Sequence, residues 1–243
     1  MLPNSIQSMS TTPPTIIAFA SPKGGVGKST TCLGIAGALA KRNKLVHVVD
    51  YDQTETLWTW YSSTGARENI PNLTVEKAPP DQLREYMHRF LQLKHDYVLI
   101  DLPGTLTPDM LALGVLADLT ITPSKLNIPD TLQTMKLAGR LLDTAKRIGK
   151  PLQHRVLIND VPTMMSKAQA HTLQQIDQSN LTRFKTVIYT RPAAYTEPFL
   201  TGLPPHFLDT SRPAITKAVE ELDGLVSEIH AITGKEQEER IAA

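Results

Sequence analysis

Within seven residues, Lys23 to Ser29, the chain places three glycines, two lysines and a serine hydroxyl. The surrounding stretch, "IIAFASPKGGVGKSTT" (Ile16 to Thr31), runs from an apolar segment through this turn into an amphipathic helix pattern. That combination can hold a phosphate chain. Gly24, Gly25 and Gly27 let backbone N–H groups approach an anion that side chains would keep away. A helix starting near Lys28 aims its free N–H groups and the positive end of its dipole at the same point. Lys28 adds a charge for the β- and γ-phosphates, the Ser29 hydroxyl suits Mg2+, and Val26 and Thr30 complete the loop.

Two other apolar runs end on acids that could serve the same site. "VLIDLPG" delivers Asp101, a carboxylate placed to hold Mg2+ through water, and "VHVVDYD" delivers Asp50 and Asp52. A lone acid at a strand end is often only a cap. Three ligand types at three strand ends, in nucleotide-site order, point to one site. Lys23 is the cation this chemistry does not require. It is either a solvated surface lysine or a second charge for phosphate.

The elements that must position these groups alternate. Strands are predicted at "TIIAFA", "KLVHVVD", "YVLID", "DLTITP", "HRVLIND" and "FKTVIY", with "LTVEKA" as an edge strand. Helices are predicted at "STTCLGIAGALAKRN", "TLWTWYSS", "DMLALGVLA", "TLQTMKLAGRLLDTAKRIGK", "KAQAHTLQQIDQ" and "AITKAVEELDGLVSEIHAI". In "DQLREYMHRFLQLK" the spacing puts Leu83, Met87, Phe90 and Leu91 on one helix face. The fold class is therefore α/β: a doubly wound, mostly parallel sheet flanked by helices on both faces, with ligands at the carboxyl ends of its strands. We divide the chain into an arm (1–14), one domain (15–234) and a charged tail (235–243).

Composition narrows the function. Lys and Arg total 25 against 24 Asp and Glu, so a nucleic-acid partner would need a local basic patch. Cys32 is the only cysteine, which excludes an internal disulfide and fits a reducing cytoplasm. No run of about 18 apolar residues offers a membrane span. The opening "MLPNSIQSMSTTPP" lacks the basic and apolar regions of a signal peptide and reads as a flexible arm. The seven histidines show no ligand spacing, so nucleotide-bound Mg2+ is the only metal expected. Trp58, Trp60 and Tyr61 read as packing residues, and Cys32 as a small core residue.

"KGGVGKST" resembles the deviant Walker A loop of the ParA/MinD superfamily, with Pro22 in place of the usual first glycine. The resemblance covers nearly all the chain after the arm. It implies an ATPase using ATP and Mg2+, and a homodimer formed with ATP, in which Lys23 reaches across to the partner's phosphates. It also implies that Asp52 positions the attacking water, that Asp50 lies on the Mg2+ side, and that Asn159 of "VLIND" contacts adenine. "VVDYDQTETLW" is similar to the family's first switch, although Gln53 stands where proline is usual. "DLPGTLTPDML" is similar to its second switch, and "YTEPFLTGLPPHFLDTSRPAITKAVEEL" to its C-terminal stretch.

Within the superfamily, one cysteine cannot hold the iron–sulfur cluster of nitrogenase iron-protein relatives. The ending "KEQEERIAA" lacks the amphipathic membrane helix of MinD relatives. No tyrosine cluster follows Tyr195, and about fourteen leading residues cannot hold a helix-turn-helix domain. The chain is thus most similar to small ParA-type partition proteins, which implies non-specific DNA binding, a nucleoid location with ATP, and a small ParB-like partner that stimulates hydrolysis. Candidate DNA-phosphate contacts are Arg191, Arg212 and Lys217, with Lys146, Arg147, Lys150, Arg183 and Lys185 as further cations, unless these are simply solvated. Three rivals remain: recruitment of a relaxosome or other cargo in conjugation, a synthetase that phosphorylates a carboxylate, and a nucleotide-binding scaffold without turnover.

Overall fold

The computed structural model describes residues 13–78, 83–105 and 107–234. Residues 1–12 of the arm and the whole tail, 235–243, lie outside the described residues. Seven strands form one sheet: β1 (Thr15–Phe19), β2 (Val46–Asp50), β3 (Leu73–Lys77), β4 (Tyr97–Asp101), β5 (Leu119–Ser124), β6 (His154–Val161) and β7 (Arg183–Tyr189). Their order is β3-β2-β4-β1-β5-β6-β7, and every pairing is parallel. The doubly wound, mostly parallel sheet expected from the sequence is thus found, here with every pair parallel, because each link between neighbours is a crossover rather than a hairpin.

The helices are α1 (Lys28–Lys41), α2 (Thr56–Ser63), α3 (Ala66–Asn69), α4 (Leu83–Phe90), α5 (Pro108–Leu116) and α6 (Ile128–Ile148). They continue with α7 (Lys167–Asp177), α8 (Pro192–Tyr195), α9 (Pro198–Thr201) and α10 (Pro213–Thr233). The short α3, α8 and α9 carry no periodicity long enough to read from sequence. In α4, Phe90 is buried but Leu91 lies past the helix end and is 53% exposed, so the expected four-residue face does not extend to it. The side chains of Leu83 and Met87 lie outside the described set.

Strand alternation builds two cores. Ile17 and Phe19 of β1, with Leu99 of β4, face α1 and α10. Ile16 and Ala18, with Val98 and Ile100, face α5 and α6. A strand covered on both sides must be apolar throughout, which is why β1 and β4 read as unbroken hydrophobic runs. Cys32, Trp60 and Tyr61 are buried in the first core, as their packing assignment requires. The edge strand β3 alternates, with Leu73 and Val75 buried and Thr74 exposed.

His154, at the start of β6, is buried with Nε2 2.9 Å from Thr122 Oγ1. Burial, aided by the Arg155 charge, depresses its pKa from 6.5 to about 4. The unfolded chain therefore binds more protons between these values, and the contribution present above pH 6.5 is lost as pH falls towards 4. In denaturant titrations the stability gap between wild type and His154→Asn should shrink by roughly 3 kcal/mol across that window. A gap that stays level would mean His154 does not titrate as its burial requires.

Candidate functional site

Register brings the site residues to one edge. Asp50 and Phe19 both align with Asp101, so β2, β4 and β1 end at the same level. The loop after β1 leads into α1 through Gly27, whose backbone is left-handed (φ 97). A Cβ there would also sit 2.0 Å from Asn159 Nδ2, so glycine is required twice over. A cavity of about 470 Å3 opens over the loop, lined by Gly24, Lys28, Ser29, Asp52, Gly104 and Phe199, among others. A second cavity, about 190 Å3, shares Gly25, Gly27 and Thr30 with the first and continues to Asn159, Asp160 and Arg191. Together they form a trough, whose loop side we term the phosphate end and whose Asn159 side we term the base end.

Lys28 is 6% exposed, and its Nζ stands 3.4 Å from Asp52 Oδ2. The other Asp52 oxygen accepts from Thr54 N (3.0 Å) and Thr54 Oγ1 (2.9 Å). Burial raises the Asp52 pKa, but the Thr54 hydrogen bonds and the Lys28 charge outweigh it and hold the carboxyl below its usual range. Asp52 is therefore an ionised acceptor at neutral pH, facing the phosphate end.

Ser29 Oγ donates to Asp101 Oδ2 at 2.5 Å, while Asp101 Oδ1 is buried without a hydrogen-bond partner. Burial pushes the Asp101 carboxyl up to about 7, against the opposing Lys28 charge and Ser29 bond. An orphaned carboxylate oxygen beside a hydroxyl fits a divalent cation, whose charge would offset that burial. Ser29 and Asp101 are the pair that would hold Mg2+.

Asp50 departs from its expected Mg2+-side position. Its Oδ1 accepts from Asp52 N, and its Oδ2 from Leu57 N and Trp58 N, at 2.9–3.1 Å. It thus satisfies free N–H groups at the start of α2 and shapes the turn that carries Asp52. In that turn Gln53 is exposed, and Glu55 N donates to Asp52 O with Glu55 left-handed (φ 50). The turn closes without the usual proline.

Lys23 does not line the phosphate cavity. Its Nζ is 2.5 Å from Asp130 Oδ1, a carboxylate 2% exposed in the first turn of α6. Asn127 caps that helix by accepting from Asp130 N and donates to the other Asp130 oxygen. Asp130 was invisible in the sequence because it lies 107 residues from Lys23. Asn159 lines the second cavity, and its amide donates to Val26 O at 2.8 Å, bracing the loop from that end. Asp160, left-handed at φ 55, is paired with Lys125 and Thr190 beside it.

The DNA candidates separate. Arg191 is corrected: it forks onto Glu221 at 2.6–3.0 Å, both are largely buried, and it walls the base cavity. Arg212 is forked onto Glu197 at the surface. Lys217 is exposed. Arg183 pairs with Asp177, and Lys150 donates to Leu116 O.

A wholly parallel sheet, a glycine loop at the end of its central strand, and Ser29 facing Asp101 from the neighbouring strand define a P-loop nucleotide-binding fold. The CobQ/CobB/MinD/ParA nucleotide binding domain matches residues 17–199, and the chain belongs to that family. It is 26% identical to the maintenance of carboxysome distribution protein A of Halothiobacillus neapolitanus over 68% of this chain and 76% of that one. With the protein ParA of Rhizobium radiobacter it shares 23% identity, covering 88% and 95%. The septum site-determining protein MinD of Pyrococcus horikoshii, complexed with Mg-ADP, has a similar fold: TM-score 0.66, 20% identity, 90% and 98% covered. Among the described residues no helix is long and apolar enough to cross a membrane.

Proposed function

We propose that this chain is an ATP-hydrolysing switch that dimerises with ATP, binds DNA without sequence preference and partitions or positions DNA, with a ParB-like partner stimulating hydrolysis. The observation that carries this reading is the division of labour between the two lysines. Lys28 is buried in the phosphate trough, whereas Lys23 is half exposed, outside the trough and held by Asp130. A cation not used by its own subunit's phosphate cavity is available to a partner's. Mg2+ held at Ser29 and Asp101 would supply charge between the β- and γ-phosphates. Asp52 accepts the hydrogen bond that orients an attacking water, and its lowered pKa keeps it ready to accept. The carboxysome-distribution relative favours a second reading in which the cargo is a body other than DNA.

Filter binding of a random-sequence duplex separates the two readings. Retention should need ATP and fall steeply with salt, because phosphate contacts release counterions. Lys217→Glu should weaken DNA binding severalfold and leave ATP affinity unchanged. Equal retention with ADP and ATP would overturn the gating.

A further inference from the structure

Helix α6 carries an apolar stripe that the fold leaves uncovered. Ile128, Leu132, Met135, Gly139 and Leu142 succeed one another at steps of four and three, the spacing that returns to one helix face. Ile128 is 64% exposed, Leu132 51% and Leu142 49%. Leu137, Leu141 and Ala145, on the opposite face, are the residues buried against the sheet. Towards the end of α6 the stripe becomes one wall of a groove of about 540 Å3, closed by Leu152, Arg155 and Leu181.

Gly139 stands in the middle of that wall. Glycine inside a helix is destabilising relative to alanine, and here a Cβ would meet nothing within 4 Å. Packing within the chain gives no reason for the missing side chain. What the glycine leaves is depth in the groove. Charge around the stripe has mainly one sign: from Lys136 to the end of α6, Lys136, Arg140, Lys146 and Arg147 are set against Asp143 alone.

We infer that this face of α6 docks an acidic amphipathic helix of a partner protein. Aliphatic side chains at helical spacing would enter the groove over Gly139, and carboxylates on the flanks would meet the lysines and arginines. The stripe from Ile128 to Leu142 is about 21 Å long, enough for four helical turns. A phosphate backbone has no use for an apolar groove, and a flat bilayer surface does not fill a concave one. The groove lies at the amino ends of β6 and β7, at the opposite edge of the sheet from the phosphate loop. Docking there leaves the trough open, and the inference stands whether or not ATP is hydrolysed.

The probe is a fluorescein-labelled synthetic helix of about 18 residues, with leucines at four–three spacing and glutamates elsewhere, titrated with the full chain by anisotropy. Micromolar binding is expected, and a lysine version of the peptide should bind about tenfold more weakly or worse. Gly139→Leu, which fills the groove, should cost about tenfold or more, with the circular dichroism spectrum and ATP affinity kept. Gly139→Ala should keep most of the binding and raise the melting temperature. Wild-type affinity in Gly139→Leu, or equal binding of the two peptides, would overturn the inference. So would displacement of the acidic peptide by duplex DNA or by phosphatidylglycerol vesicles, which would assign the face to nucleic acid or membrane.

Discussion

Lys28→Ala is expected to abolish ATP binding at ordinary concentrations. The Lys28 ammonium is the cation facing Asp52, and its charge also opposes the upward pull of burial on Asp101. Without it, Asp52 lines the phosphate end and Asp101 lies buried beside Ser29, with no side-chain cation lining that cavity. Removing one partner from a buried charge cluster typically costs about 3–5 kcal/mol. ATP would also lose a charge-assisted hydrogen bond and approach unscreened carboxylates. The affinity loss should therefore be on the order of a hundred- to a thousandfold or more. Titration calorimetry measures it directly. Near wild-type affinity would mean that the trough is not where the phosphates bind.

The second large effect concerns Lys23. Lys23→Ala should keep much of its ATP affinity, because Lys28, the glycine loop and Ser29 still hold phosphate within one subunit. It should lose the ATP-induced dimer, since two phosphate chains would face each other without the crossing cations. Like charges brought together where water is scarce cost several kcal/mol by order of magnitude. Asp52→Ala should behave in the opposite way: it binds ATP, stays dimeric and turns over slowly. Mixing Lys23→Ala with excess Asp52→Ala should restore some turnover, because the subunit with an intact Asp52 receives Lys23 from its partner. Failure to recover, with heterodimers demonstrated by light scattering, would place Lys23 in its own subunit. The pairing seen here adds a sharper variant. Asp130 holds Lys23 in the single subunit, so Asp130→Asn should release it and bring dimerisation to a lower protein concentration.

All seven strands and every helix longer than eight residues were legible as sequence, as were Phe90 of α4 and the loop from Gly24 to Thr30. These are local features. A buried parallel strand must be apolar at each position, a core-facing helix must repeat at its own period, and a phosphate loop is built from consecutive residues. The chain's own covalent order also fixed that Lys28 and Ser29 begin a helix and that Asp101 ends a strand.

Tertiary structure decided what those residues meet. Strand order, with β4 inserted between β2 and β1, brings Asp101 against Ser29 across 72 residues of sequence. Arg191, a free cation in the sequence, becomes half of a buried pair because α10 carries Glu221 past the end of β7. Asp50 looks like a ligand in its strand, but α2 turns back so that two of its N–H groups take one oxygen, and the Asp52 N–H takes the other. Lys23 finds Asp130 only because β1 and β5 are neighbours. The apolar stripe of α6 was readable as periodicity, yet which side of it would be covered depended on where the sheet ran. Periodicity and composition act over one or two turns of chain, whereas charge pairing and burial are settled by which crossovers the sheet permits.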